Sequence, residues 1–220
     1  MVPGTDNIAT PPSRGRCPRR NFIHVPDGFL DVPTSVATFV FATQMLNFPV
    51  GAGTSGHLLG GAMAAILVGP WTGVLCVSVV LLVQALLFAD GGITALGTNI
   101  TLMGIVGVVV GWVVFRSLQV LLPKRVVLVA PIAGVAAFVA VPVTALAFGL
   151  YAVGGTAPIP LDTLTTVLLG WHMLIGIGEA LITGLLVGSV TAVRPDLVYG
   201  ARPTLRARQL EIRTSEGTMA

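Results

Sequence analysis

The chain has 220 residues, 54% of them hydrophobic and only 10% charged, with a formal net charge of +3. Soluble domains carry about 25% charged residues, so this composition excludes an ordinary soluble globule and fits an all-α polytopic membrane protein. The excess of cations is not a nucleic-acid footprint. The basic residues fall in three short clusters, Arg14 to Arg20, Arg116 to Arg125 and the stretch from Arg194 onward, as arginines do when they mark the cytoplasmic side of a membrane.

Residues 1–23 are rich in Pro and Arg and have no apolar core, which excludes a secretory signal. They read as a disordered polar arm, or as sequence outside the mature chain. His24-Val25-Pro26-Asp27-Gly28-Phe29-Leu30 follows, just ahead of membrane-type sequence. The first candidate span is Thr34 to Val50, with Gln44 and Asn47 near its end and Pro49 closing it. The Gly-rich segment Gly53-Thr54-Ser55-Gly56-His57-Leu58-Leu59-Gly60-Gly61 leads into a short second candidate, His57 to Val68. The Gly69-Pro70-Trp71-Thr72-Gly73 turn ends it. Gly73 to Ala89 is a clean span stopped by Asp90-Gly91-Gly92, and Asn99 to Phe115 ends at Arg116. Val126 to Leu150 contains Pro131 and Pro142, which are expected to kink it. Thr165 to Val193 carries Trp171, His172 and Glu179. The expectation is a bundle of about six transmembrane helices in a domain over 24–193, followed by a basic tail over 194–220.

Two charge deserts support this reading. Between Val32 and Phe115 the only charged side chain is Asp90, and between Val126 and Val193 there are only Asp162 and Glu179. A carboxylate at membrane depth is costly and therefore functional by default, so Glu179 is a candidate site residue. It lies seven positions after His172, two helical turns on, and so on nearly the same face. The alternative for Glu179 is a lock between helices. For His172 it is a hydrogen bond to another helix's carbonyl. Orientation follows from the cations: the Arg116–Arg125 connection and the tail are cytoplasmic. The Pro70 turn is then inside, while the Asp90–Thr98 and Gly51–Gly56 loops are outside. His57 is thereby expected at the outer face. The same count places His24 on the cytoplasmic side if Thr34 to Val50 crosses, so a crossing is missing or that segment does not span.

The chain has three histidines, and two of them sit on backbone-permissive segments. Imidazole is the common ligand for nickel, cobalt, copper and zinc, and binds in its neutral form. These segments, together with Gln44-Met45-Leu46-Asn47-Phe48-Pro49-Val50, the Gly69-Pro70-Trp71 turn, Gln84 to Gly92 and Ile175-Gly176-Ile177-Gly178-Glu179-Ala180, carry a resemblance. The chain resembles the metal-binding, substrate-capture subunit of energy-coupling factor transporters for cobalt and nickel, the CbiM/NikM type.

That resemblance implies a transported cobalt or nickel ion, no organic cofactor and no catalytic step. It implies a transmembrane coupling subunit, two ATPase subunits and a small accessory membrane subunit as partners in the cell membrane. In that family the mature chain begins Met-His. The terminal amine, the second residue's amide nitrogen and its imidazole chelate the ion, and a Ser-Gly-His loop adds a fourth nitrogen. Four nitrogens in a plane suit nickel and also take cobalt. On this mapping His24 and His57 are the metal ligands, with Ser55, Asn99, His172 and Glu179 as candidates for the surrounding shell. Two departures stand out. His24 follows Ile23 rather than a free amine, and the seven spans usual in the family are one too many for this chain. About thirty residues, one span and a loop, are expected to be missing near Thr38-Phe39. Two alternatives follow: a truncated, transport-inactive paralogue, or a membrane metal-dependent hydrolase using His57, His172 and Glu179. The hydrolase lacks the His-Glu-x-x-His spacing such enzymes need.

Overall fold

The computed structural model describes residues 31–51, 54–154 and 161–218. His24 and the arm over 1–23 lie outside the described residues. Helix α1 (Asp31–Gln44) is followed by an antiparallel hairpin of β1 (Asn47–Gly51) and β2 (Thr54–His57). In its register Asn47 stands opposite His57, and Pro49 opposite Ser55. Next come α2 (Gly61–Val68), α3 (Pro70–Leu87), α4 (Ile93–Leu121), α5 (Val129–Gly154) and α6 (Leu161–Val193), and last α7 (Arg202–Thr218).

The all-α polytopic membrane architecture stands. Four helical stretches among the described residues are long and apolar enough to span: Pro70–Leu87, Ile93–Leu121, Val126–Tyr151 and Thr166–Val193. Two of the six expected spans are shorter elements. Thr34 to Val50 is not one helix, because the helix stops at Gln44 and the chain becomes extended at Asn47. Pro49 lacks the amide proton that a helix would need there. His57 to Val68 begins as strand, so α2 keeps only eight residues.

Helix α2 is nevertheless the centre of the molecule. Its sequence, GAMAAILV, has no polar face, and Gly61 through Leu67 are all buried. A helix apolar all round must be enclosed. At eight residues it is enclosed by other helices rather than by lipid. Helix α4 supplies the closest approach: a Cβ placed on Gly111 would stand 2.5 Å from the Cβ of Ala62. Helices α5 and α6 pack along small residues, with Gly134 against Ala180 and Gly184, and Gly176 against Phe138. Such contacts let backbones approach in a membrane, where no hydrophobic force drives helices together. The long core runs through Val40, Ile66, Val77, Val108, Phe115 and Val187, all fully buried. Helix α4 widens to π-helical geometry over Ile100–Gly107, a distortion that recurs at functional sites.

The segment beyond α6 is more than a tail. Turns at Pro195–Leu197 and Tyr199–Ala201 carry Val198 and Ala201, both fully buried, and Gly200 lies against the Phe115 ring.

Candidate metal site

A cavity of about 150 Å³ opens between the hairpin, α4, α5 and α6. Gly56 and His57 line it from β2, Asn99, Leu102 and Met103 from α4, Thr144 and Phe148 from α5, and Leu168 and His172 from α6. Three of the sequence-derived candidates, His57, Asn99 and His172, therefore face one space although they are far apart in the chain. Asn99 is the last residue before the π-helical stretch of α4. The backbone of Ser55 lies in β2, two residues before His57. Among the described residues no three His, Cys, Asp or Glu side chains gather in one place.

The two imidazoles are held in the same way. Nδ1 of His57 lies 2.9 Å from the carbonyl oxygen of Leu58, and Nδ1 of His172 lies 2.7 Å from that of Leu168. A carbonyl only accepts, so in both rings Nδ1–H is the donor and the lone pair is left on Nε2. This is how metal-binding histidines are oriented: one ring nitrogen is fixed by the backbone and the other remains free to ligate. The alternative of a bond from His172 to another helix's carbonyl is not what Nδ1 makes: it bonds its own helix four residues back.

Glu179 lies outside the cavity and acts on the loop that carries His57. Its Oε2 accepts from the amide of Leu59 at 2.9 Å and its Oε1 from the amide of Gly60 at 2.6 Å. These amides precede α2, where helical geometry leaves N–H groups without partners. In a membrane interior no water is there to satisfy them. A buried carboxylate at a helix N-terminus also meets the positive end of the helix dipole. Its role is thus a clamp between α6 and the His57 loop. Both oxygens are engaged by backbone, so among the described residues no carboxylate lines the cavity as a hydrolase would require.

Gln44, which its sequence motif does not mark as a site residue, completes the clamp. Its Nε2 donates to the carbonyl oxygen of Leu59 at 2.7 Å in a fully buried position. Leu59 is thereby gripped at its amide by Glu179 and at its carbonyl by Gln44. The available signal was a glutamine within an apolar stripe, Val36, Val40 and Gln44 at four-residue spacing, since a buried amide side chain needs a specific partner. Gly60 makes the turn possible at φ 69°, with Val40 close above it. Met103, Thr144 and Phe148 were also not anticipated, because apolar helical sequence does not reveal which face lines a cavity. On the far side, Asn47 Nδ2 donates to Asp90 Oδ2 at 3.4 Å and ties the hairpin to the loop after α3.

Comparison with known proteins identifies the family. The family described as "Cobalt uptake substrate-specific transmembrane region" matches residues 31–197. A protein of Archaeoglobus fulgidus named for fused nickel transport, NikMN, is 36% identical over 211 residues, covering 80% of this chain and 68% of its own length. The fused nickel transport protein NikMN of Rhodobacter capsulatus is 34% identical over 202 residues, covering 84% of this chain and 57% of that protein. A solved crystal structure of a transition metal transporter superposes with a TM-score of 0.66 at 30% identity, covering 77% of this chain and 78% of that one.

Proposed function

The chain belongs to the family of cobalt uptake substrate-specific transmembrane regions, a transporter component and not an enzyme, and from that premise we propose how it captures its ion. Cobalt or nickel is the transported substrate, and His57 binds it through Nε2. The observation that carries this reading is the pair of imidazoles on one cavity, each with Nδ1–H given to a backbone carbonyl. Nitrogen ligands suit both metals, which differ in preferred geometry more than in ligand type. His24, with an amine freed beside it by processing or a later start, supplies the remaining nitrogens. His172, Asn99 and Ser55 shape the space around the ion, and Glu179 holds the loop. The site faces outward, the segment over 194–220 is cytoplasmic, and the domain over 24–193 carries the capture function. A transmembrane coupling subunit, two ATPases and a small accessory subunit drive release inward. The chain has no Gly-x-x-x-x-Gly-Lys-Ser/Thr phosphate loop of its own.

The test is metal binding by the purified protein together with uptake by cells expressing it with its partners, each with and without His57→Ala. Loss of both in the variant is expected. Retention of wild-type binding by the variant refutes the assignment. A second reading, a transport-inactive paralogue, is favoured by an apolar groove of about 350 Å³ lined by Val36 and Phe39 of α1 and Leu186 and Val190 of α6. Metal binding without His57-dependent uptake is its signature.

A further inference from the structure

At the end of the bundle remote from the hairpin, a second cavity of about 480 Å³ is lined by Trp112, Arg116, Lys124, Tyr199, Arg202 and Arg206, among others. Four cations converge on it from three parts of the chain: α4, the connection after it, and the start of α7. Among the described residues no acidic side chain lines this cavity, and none of the four cations makes an ion pair; the one salt bridge there is Arg194 with Asp196. Four like charges gathered on one cavity raise a positive potential there, which attracts an anion.

Two of the cations, Arg116 and Arg202, lie against aromatic rings. The Arg116 guanidinium lies 5.7 Å from the Trp112 ring centre, and that of Arg202 lies 4.8 Å from the Tyr199 ring centre. The two rings are themselves 5.5 Å apart. Arg116 also donates to Gln119 Oε1 at 2.9 Å, and the half of Gln119 that remains donates to the carbonyl of Gly200 at 2.8 Å. Gln119 is buried, so this bridge joins α4 to the turns before α7. A guanidinium beside an aromatic ring keeps its N–H donors available, and those donors suit phosphate oxygens.

The location selects the source of the phosphate. The cavity sits where α4 passes from exposed apolar residues such as Val113 to Arg116, and Val120 and Leu121 beside it are more than three-quarters exposed. Trp and Tyr next to Lys and Arg are the side chains of the membrane–water interface. Helix α7 begins there with Arg202 and Arg206 one turn apart. We propose that Arg116, Lys124, Arg202 and Arg206 form a receptor for the phosphate of an anionic lipid headgroup, which pins α7 and the preceding turns to α4 at the basic face of the membrane. Basic pockets at helix ends are the expected form of such sites. Inorganic phosphate shares the chemistry but lacks the acyl chains that hold a lipid at this depth.

The test uses the full chain in detergent, titrated separately with dioleoyl phosphatidylglycerol, dioleoyl phosphatidylcholine and inorganic phosphate. Bound lipid is read by native mass spectrometry and stability by the thermal midpoint. Phosphatidylglycerol is expected to be retained about tenfold better than phosphatidylcholine and to raise the midpoint, while inorganic phosphate at equal concentration does neither. The double variant Arg116→Gln/Arg206→Gln should lose about ten- to thirtyfold in phosphatidylglycerol retention, and Arg116→Lys/Arg206→Lys, which keeps the charge but not the planar fork, should fall between it and the wild type. Equal retention of the two lipids by the wild type overturns the proposal. So does undiminished retention by the double glutamine variant, or a midpoint shift that inorganic phosphate alone reproduces. If the glutamine variant fails to fold, the wild-type comparison of the three ligands still decides.

Discussion

Removing the Glu179 clamp should weaken metal capture without touching a metal ligand. In Glu179→Ala the amides of Leu59 and Gly60, now bonded at 2.9 and 2.6 Å, both lose their acceptor in a buried setting. Each unsatisfied buried amide costs about 1–3 kcal/mol, so the loop before α2 loses about 2–6 kcal/mol of preference for its present form. Glu179→Gln keeps one acceptor oxygen but turns an NH2 group toward the second amide, so about half that loss is expected. His57 lies two residues before Leu59 on the same loop, and the ion must then supply the energy that orders it. At 1.4 kcal/mol per factor of ten, the glutamine variant should bind nickel or cobalt about tenfold more weakly, and the alanine variant about a hundredfold or more. Calorimetric titration in detergent reads the affinity, and thermal unfolding reads the stability. Wild-type affinity in Glu179→Ala refutes the reasoning outright. A lowered midpoint with unchanged affinity shows that the clamp holds the fold and does not position His57.

Three further outcomes are expected. His172→Phe keeps the ring volume but removes Nε2 from the cavity, and should reduce metal affinity about tenfold while the thermal midpoint of the metal-free protein changes little; unchanged affinity removes His172 from the site. Gly60→Ala places a Cβ about 3.0 Å from Val40 in left-handed backbone, costing about 2–4 kcal/mol from backbone strain and overlap together, measured as a lowered unfolding midpoint. Asp196 is held below the ordinary carboxylate range first by the hydrogen bond from the Arg194 guanidinium. A lowered value in the folded chain adds stability above the unfolded value and loses it as pH falls through the folded value. Both groups are fully exposed and screened, so Asp196→Asn should match the wild-type midpoint from neutral pH to about pH 4. An acid-side drop present in the wild type and absent in the variant contradicts this.

Much of this protein was legible before any coordinates. The charge deserts and the apolar runs over Gly73 to Ala89 and Val126 to Leu150 identify membrane helices, because lipid solvation imposes its demand on composition directly. The Ser-Gly-His and Ile-Gly-Glu segments pointed to His57 and Glu179 because rare polar residues in apolar sequence need a reason. Other features were decided only in three dimensions. The Gly69-Pro70 turn marks α2 as short, but that it is wholly enclosed is decided by α3, α4, α5 and α6, which pack around it. Glu179 could have faced His172 on its own helix, yet it reaches a loop about 120 positions away. The reason is that the unpaired amides ahead of α2 require an acceptor and only packing of α6 against α2 delivers one. Likewise, Arg116 and Arg206 read as separate topology markers along the chain. They become parts of one cationic pocket only because Val198 and Ala201 bury themselves and fold the chain's end back onto α4. Composition and spacing determine which residues must be in lipid and which must find partners; the packing of distant helices determines who those partners are.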